Sequence, residues 1–436
     1  MTGPPGAPRS RASWPAIRSA DSALDAVTPG NYNEDRMTQT GLRPPQTEAP
    51  RPSAAPSYED MFPYYAELCA LSELRKKPGF GVPISSGMGG HLLLYLNGVR
   101  VRRDARGYPA LELTPAAGAS GQGAAISVNS HYRNANWVAF EGRDFTFHGA
   151  LPPNTGLTRE AYEETQNQAQ ARGLLDGIDF HEHFFKDKPA GISRESFKYE
   201  ISIASDYAVC FGRDAYRARL PLSMAQMNIV IDYLNALNEP YRTGRKLYHW
   251  RLLNDNCAHV AHNALAAAGV WAPWRTGQFF MLAAFKFPVP KNEMVDLAGR
   301  ANDLPLEDPT ALFKDSSARA ALMAHGTLPT GPGGLVSTAP AIIANEIYDT
   351  QKLRLIFYDN PFWGPYKFRF KRLFSDPRYT DLHTNLRHFA ARYRAAAERR
   401  PAKPDLPAEF LDRHVQHIAA QSAFLERWLP RWEAQP

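Results

Sequence analysis

The spacing of apolar and polar residues changes character several times along the chain. Residues 1–56 carry few large apolar side chains among many Pro, Ala, Ser, Thr and Arg, which predicts a disordered tail. Residues 57–76 (SYEDMFPYYAELCALSELRK) read as a helix opened by Ser57 and Asp60 and closed by Pro78-Gly79. HLLLYL-NG-VRVRR, from His91, predicts a hairpin turning at Asn97-Gly98. Further strands are expected at Pro109–Thr114, Ala124–Ser130, Asn136–Glu141, Asp144–His148 and Phe197–Phe211. A polar helix is expected over 157–173. Met224, Met227, Ile231 and Leu234 fall on one stripe of a helix over Leu222–Leu237 capped by Ser223.

The clearest helical pattern is LNDNCAHVAHNALAAAGV, residues 253–270. Asn254, Asp255 and Asn256 suit a cap, the body is rich in Ala, and Gly269 ends it. Cys257 falls in its first turn. Val260, Ala261, Ala264, Leu265 and Ala268 continue the face that Cys257 begins, while His259, His262 and Asn263 lie off it. Beyond about residue 300 come a Gly/Pro-rich loop (325–339), an aromatic and cationic segment (353–374), and two long helices over 381–400 and 407–432. The pattern therefore predicts an α+β core at 57–300 and a mostly helical accessory region at 301–436.

Composition narrows the chemistry. A net charge of +6 over 436 residues gives mild attraction to anionic surfaces, without the dense basic footprint of a nucleic-acid binder. Three widely spaced cysteines are no disulfide framework, so a reducing compartment such as the cytoplasm is expected. Neither a membrane-spanning run nor a secretory leader is visible in the sequence. Cys69 and Cys210 sit among apolar residues and read as core cysteines.

Cys257 reads differently. A helix N-terminus favours a thiolate, and an imidazole within reach can take the proton. His91, at the mouth of an apolar strand and preceded by Gly89-Gly90, is the candidate base, with Gly90 allowing close approach of substrate. Amides at the helix start could also hold an oxyanion. These features predict a thiol pKa below the ordinary value. The bland alternatives are a small core cysteine and a satisfied strand-end histidine. Two other readings remain weaker. His181 and His183, with His259 and His262, lack a cysteine pair or third carboxylate at metal spacing. The stretch FRFKR, ending at Arg372, could contact anionic partners but reads better as a strand with alternating faces. Gly331–Gly334 lacks the following Lys-Ser/Thr of a phosphate loop.

Gly90-His91 before Leu92–Leu96, followed much later by Asn256-Cys257 and an Ala-rich helix, resembles the circularly permuted papain-like hydrolases. That superfamily includes NlpC-type peptidases and lecithin retinol acyltransferase-like enzymes. Tyr248 and Trp250 are similar to the aromatic lead-in of its permuted members. The resemblance spans roughly residues 80–270 and implies a helix packed on an antiparallel sheet. It implies hydrolysis or acyl transfer at an amide, thioester or ester carbonyl, with Cys257 as nucleophile, His91 as base and no cofactor. Gly90, Asn256 and Tyr248 would border the substrate. A third polar residue would orient the histidine, with His148, His131 and Glu112 as candidates. The substrate would be a peptide, a peptidoglycan-like amide or an acyl lipid. The non-enzymatic alternative is a binding module that kept the fold, or one that acts through a basic C-terminal surface.

Overall fold

The computed structural model describes residues 57–80, 90–115, 121–252, 255–274, 289–351, 353–355, 357, 365–399 and 406–433. The expected tail at 1–56, together with Gly89 and Asn254, lies outside the described residues. The fold is α+β, with a mixed set of helices, an antiparallel sheet and a helical C-terminal region.

The chain begins with a single helical turn, α1 (Tyr58–Met61), closed by a reciprocal Ser57–Asp60 capping box. The expected helix ends there. Pro63 cannot continue it, and the next residues form strand β1 (Tyr65–Leu71), every residue of which is buried. A helix would have put one polar face in solvent. YAELCAL instead fills the middle of a sheet, apolar on both faces. Its one charge, Glu67, accepts from Arg143 Nη2 at 2.7 and 2.9 Å and from Arg219 Nε at 2.5 Å.

Strand β2 (His91–Asn97) pairs antiparallel with β1, Leu71 opposite His91 and Tyr65 opposite Asn97. The turn at Asn97-Gly98 exists, and Gly98 has φ +77°. The strand after it, β3 (Val99–Arg103), does not fold back on β2. It leaves the sheet and pairs with β4 (Pro109–Leu113), while Gly98 is held by Gln122 and Thr114. The place beside β2 goes to β5 (Gly123–Ser127), with Leu94 opposite Ile126. β6 (Val138–Glu141) follows on the edge. Across β1 lie β7 (Ala215–Pro221) and β8 (Val336–Ala339), so the order is β6-β5-β2-β1-β7-β8.

Two expected strands are helical. Asp144–His148 belongs to α2 (Arg143–His148), bounded by Gly142 and Gly149 at positive φ. Phe197–Phe211 divides between α4 (Arg194–Ser202), capped by Ser193, and a 3-10 turn at Val209–Phe211 that holds Cys210. Ala204 and Ala208 at φ +60° and +51° interrupt any extended run. α3 (Arg159–Ala171) and α5 (Met224–Arg242) lie where expected, α5 with the Ser223–Gln226 capping box.

Leu92, Leu94, Ala66, Leu68 and Ala218 share a buried cluster with α5, with α6 (Cys257–Ala267) and with α7 (Pro290–Asp303). The opposite-phase residues Tyr65, Cys69, Leu71, Leu93 and Tyr95 belong to a second cluster. That cluster also holds side chains of α8 (Pro309–Lys314), α9 (Ser316–His325), α12 (Leu382–Glu398) and α13 (Ala408–Glu433). Residue 300 lies inside α7, and β8 from beyond it joins the main sheet. Strand β8 thus ties the region beyond residue 300 to the main sheet.

The aromatic-cationic run is also helical, as α10 (Tyr366–Ser375), followed by the short α11 (Pro377–Thr380). The 3.6-residue period explains it: Tyr366, Phe370 and Phe374 share one stripe. Phe370 and Phe374 pack their rings 5.2 and 5.9 Å from Tyr216, and Tyr366 donates to Asp296 at 2.8 Å.

Candidate functional site

Cys257 is the first residue of α6. Asn256 caps the helix, its Oδ1 accepting from the amides of Ala258 at 2.9 Å and His259 at 3.2 Å. Its Nδ2 donates to Leu252 O at 2.6 Å. Asn256 therefore positions the cysteine, and its side chain is committed to the helix rather than offered to a substrate.

The amides of Leu92, Ala258 and Cys257 itself favour the sulfur's anionic form, as does the charge of Lys291. Burial outweighs them. Cys257 is 8% exposed, and the net effect raises its pKa above the ordinary thiol value. The expectation of a depressed thiol pKa is corrected here: the N-terminal amides are present, but desolvation is the larger effect.

His91 opens β2, and the residue after it is the Leu92 whose amide reaches the sulfur. Its Nε2 lies 3.0 Å from Ser127 Oγ. Ser127 donates in turn to Asp206 Oδ1 at 2.5 Å, and Asn129 Nδ2 donates to the same oxygen at 2.9 Å. Asp206 Oδ2 faces His131 Nε2 at 3.3 Å. A hydroxyl has one proton. Because Ser127 gives that proton to Asp206, its oxygen must accept from His91 Nε2–H. Burial, with Arg213 adding its charge, holds the His91 pKa down to about 3, so the ring is neutral. A neutral imidazole protonated at Nε2 has its lone pair at Nδ1.

Burial alone would raise Asp206. Its contacts with the imidazole of His131 and the Ser127 hydroxyl overcome it and hold the carboxyl well below the usual range. The relay is therefore anchored by a carboxylate with no exposed surface.

The other candidates are placed as follows. His131 joins the relay at its far end and packs 4.5 Å from the rings of Tyr132 and Phe180. His148 ends α2, exposed, with Asp144 and Arg217 as its charged neighbours. It stands on no strand beside β2, because the segment expected to carry it there is helical. Glu112 pairs with Arg100 at 3.0 Å and Arg102 at 2.6 Å on the two-stranded sheet. Tyr248 is fully buried, donating its amide to Arg133 O at 2.7 Å and its hydroxyl to Asp255 O at 3.3 Å. It braces the approach to α6 and offers no surface to a substrate. His181 Nε2 bonds the Tyr248 carbonyl at 2.8 Å, whereas His262 stacks between Trp271 and Trp274 and meets Glu293 at 2.8 Å. Among the described residues no group of three or more His, Cys, Asp or Glu could hold a metal ion.

Four residues that the pattern did not single out complete the site. Ser127 and Asp206 are polar residues within apolar runs, and that break in pattern was their only signal. Arg213 is buried, donating to Ala204 O at 3.0 Å and Ser72 O at 2.9 Å. Lys291 lies in the first turn of α7, 1% exposed. Gly90, at φ +68°, is its seat: a Cβ there would fall 1.9 Å from Lys291 Nζ and 2.5 Å from Leu71 O.

Comparison with family models, with curated proteins and with solved structures finds no match. Among the described residues no helix is long and apolar enough to cross a membrane.

Proposed function

We propose that the chain is a thiol-dependent hydrolase of the permuted papain-like kind, with Cys257 as nucleophile and His91 as base. The observation that carries the reading is the chain His91 Nε2–H, Ser127 O–H, Asp206 carboxylate. It fixes the imidazole tautomer and leaves the basic lone pair on Nδ1. Histidine strand before cysteine helix is the order that the resemblance implies, and here a hydroxyl on the neighbouring strand β5 meets the imidazole. Ser127 takes the place assigned to His148 or His131.

The steps follow. In this reading His91 Nδ1 accepts the Cys257 proton as Sγ bonds to the substrate's carbonyl carbon. The carbonyl π pair moves to oxygen, beside the amides at the start of α6. Collapse breaks the bond to the amine or alcohol, which leaves with the proton from His91. Water then gives a proton to Nδ1 and attacks the thioester. The acid departs, and the sulfur regains its proton. A different acceptor in place of water makes the same site an acyltransferase.

A second reading is favoured by one observation. The thiol is buried with a raised pKa, as in a binding module that keeps the fold without turnover. Mixing the protein with p-nitrophenyl acetate and weighing it separates the two. The enzyme reading expects an acetyl adduct on Cys257 that forms in the wild type and then decays. It expects none in Cys257→Ala and slow formation in His91→Ala. An adduct that never forms, or that forms equally fast without His91, sinks the hydrolase.

A further inference from the structure

A cavity of about 200 Å³ shares no residue with the Cys257 site. Phe62 after α1, Leu220 on β7 and Leu222 before α5 line it, with Leu328 from the loop ahead of β8. His417, Gln421 and Phe424 reach it from one face of α13, being spaced by four and three residues. The rings of Phe62 and Phe424 stand 5.3 Å apart. Most of the polar lining is committed within the fold. Ser223 and Gln226 hold each other in the capping box, Gln226 Nε2 donates to Ala268 O at 3.1 Å, and Thr330 donates to Ala301 O at 2.9 Å. Two lining atoms differ. His417 Nε2 and Thr327 Oγ1 are buried and have no hydrogen-bond partner among the described residues, and His417 is 3% exposed. The Tyr393 hydroxyl, equally without a partner there, is close by: a Cβ on Gly331, which lines the cavity, would meet it at 3.4 Å.

These features define a guest. Buried polar atoms are nearly always bonded, so a lining that keeps two without partners suits a molecule that bonds them. Burial holds the His417 pKa down to about 4, against the pull of the Gly326 carbonyl, so the ring carries no charge. Each nitrogen of a neutral imidazole either donates or accepts, and a hydroxyl can answer both. No Asp, Glu, Lys or Arg lines the cavity, which disfavours a charged guest. An apolar cavity of about 150 Å³ takes one benzene, so this one has room for a single ring and little more. We propose that the cavity binds a neutral single-ring molecule bearing a hydroxyl, a phenol in chemical class. Its hydroxyl bonds His417 Nε2, and its ring packs against Phe62 and Phe424.

Phenol and toluene, alike in ring size and different in the hydroxyl, test this on the full chain. With the histidine rings labelled with carbon-13, the resonance missing from His417→Leu identifies His417. If leucine unfolds the chain, His417→Gln supplies the same assignment. Phenol should shift that resonance to saturation with a Kd on the order of 1 mM, as so few atoms allow. Ligand-detected NMR then compares the two molecules in wild type and variant. Because toluene buries the same ring, the ratio of phenol to toluene affinity isolates the hydroxyl. It should fall by about tenfold in His417→Leu, the scale of one buried hydrogen bond. Leu328→Trp enlarges a lining side chain and should abolish both, with folding checked by its thermal melt. A wild-type His417 resonance that phenol does not shift to saturation overturns the proposal without a comparison. So does a ratio unchanged in a folded His417 variant, or phenol binding that survives in a folded Leu328→Trp.

Discussion

Ser127→Ala removes a single oxygen from the middle of the relay. In the wild type that oxygen accepts from His91 Nε2 at 3.0 Å and donates to Asp206 at 2.5 Å. Alanine leaves a buried imidazole N–H and a fully buried carboxylate each short of a partner. A buried polar group deprived of its bond costs about 1–3 kcal/mol. Asp206 keeps Asn129 and His131, so the loss falls mainly on His91, and about 2 kcal/mol is expected. The chemical effect is larger than the thermodynamic one. Without Ser127 nothing specifies the Nε2–H tautomer, and the ring is free to turn its lone pair away from the thiol. General-base assistance is worth roughly 10²–10⁴-fold, and a misdirected base forfeits most of it. The rate of Cys257 acetylation by p-nitrophenyl acetate at pH 7 should therefore fall by about two orders of magnitude. Ser127→Thr keeps the hydroxyl on a residue suited to a strand and should retain most of the rate. If the alanine variant acylates at the wild-type rate, or if threonine fails as badly as alanine, the relay is only packing and the tautomer argument is wrong.

Other perturbations address the scaffold around the site. Burial would raise Glu67, but Arg143, Arg219 and Arg217 together bring it from 4.5 down to about 2. A depressed carboxyl stabilises the fold above pH 4.5 and loses that contribution as pH falls towards 2, about 3 kcal/mol in all. Between pH 6 and pH 3 about 2 kcal/mol of this should be lost, so the urea midpoint should fall further in the wild type than in Glu67→Gln, and equal acid sensitivity in both would refute it. Ser223→Ala breaks a reciprocal capping box on α5 and should cost about 1 kcal/mol, read as a lower midpoint at unchanged slope. Gly90→Ala forces a Cβ into Leu71 O and Lys291 Nζ at positive φ and should cost at least ~2 kcal/mol. An alanine variant as stable as the wild type would mean that the strand entry is not held as described.

What the amino-acid pattern revealed depended on how far each element answers to its own residues. α6 was legible because its cap, its Ala-rich body and its Gly stop are all local, and Asn256 is the cap. So were α5 and the two C-terminal helices. β1 was misread because its neighbours decide it. A strand flanked on both sides by strands needs apolar residues on both faces, and YAELCAL has no polar alternation to separate it from a buried helix. Asn97-Gly98 announced a turn correctly, but the partner across that turn was set by β5, whose short apolar run competes for the same edge of β2. For the site, Cys257 and His91 stand in recognisable surroundings. Ser127, Asp206, Arg213 and Lys291 act through contacts between segments tens of residues apart, which no local spacing encodes.

The electrostatics of the resting site bear on which chemistry it can run. Burial moves the two partners in opposite directions, the thiol upward and the imidazole downward, so each shift opposes a standing thiolate–imidazolium pair. The thiol and the imidazole therefore both rest neutral. Such a site avoids holding a buried ion pair, whose desolvation would exceed its attraction unless fully hydrogen-bonded. It also stays unreactive towards stray electrophiles, since the thiolate is the nucleophile. In the proposed hydrolase, attack then requires proton transfer and carbon–sulfur bond formation to proceed together, with the new negative charge placed on the carbonyl oxygen rather than on sulfur. In the proposed mechanism the amides at the start of α6 are the donors for that oxygen charge. Donors fixed before the reaction favour a transition state over its ground state. A rate set this way depends on the substrate's own carbonyl more than on pH. Acylation by activated esters should consequently show a shallow pH profile through the neutral range, where a preformed thiolate would show a bell with its acid limb at the thiol pKa.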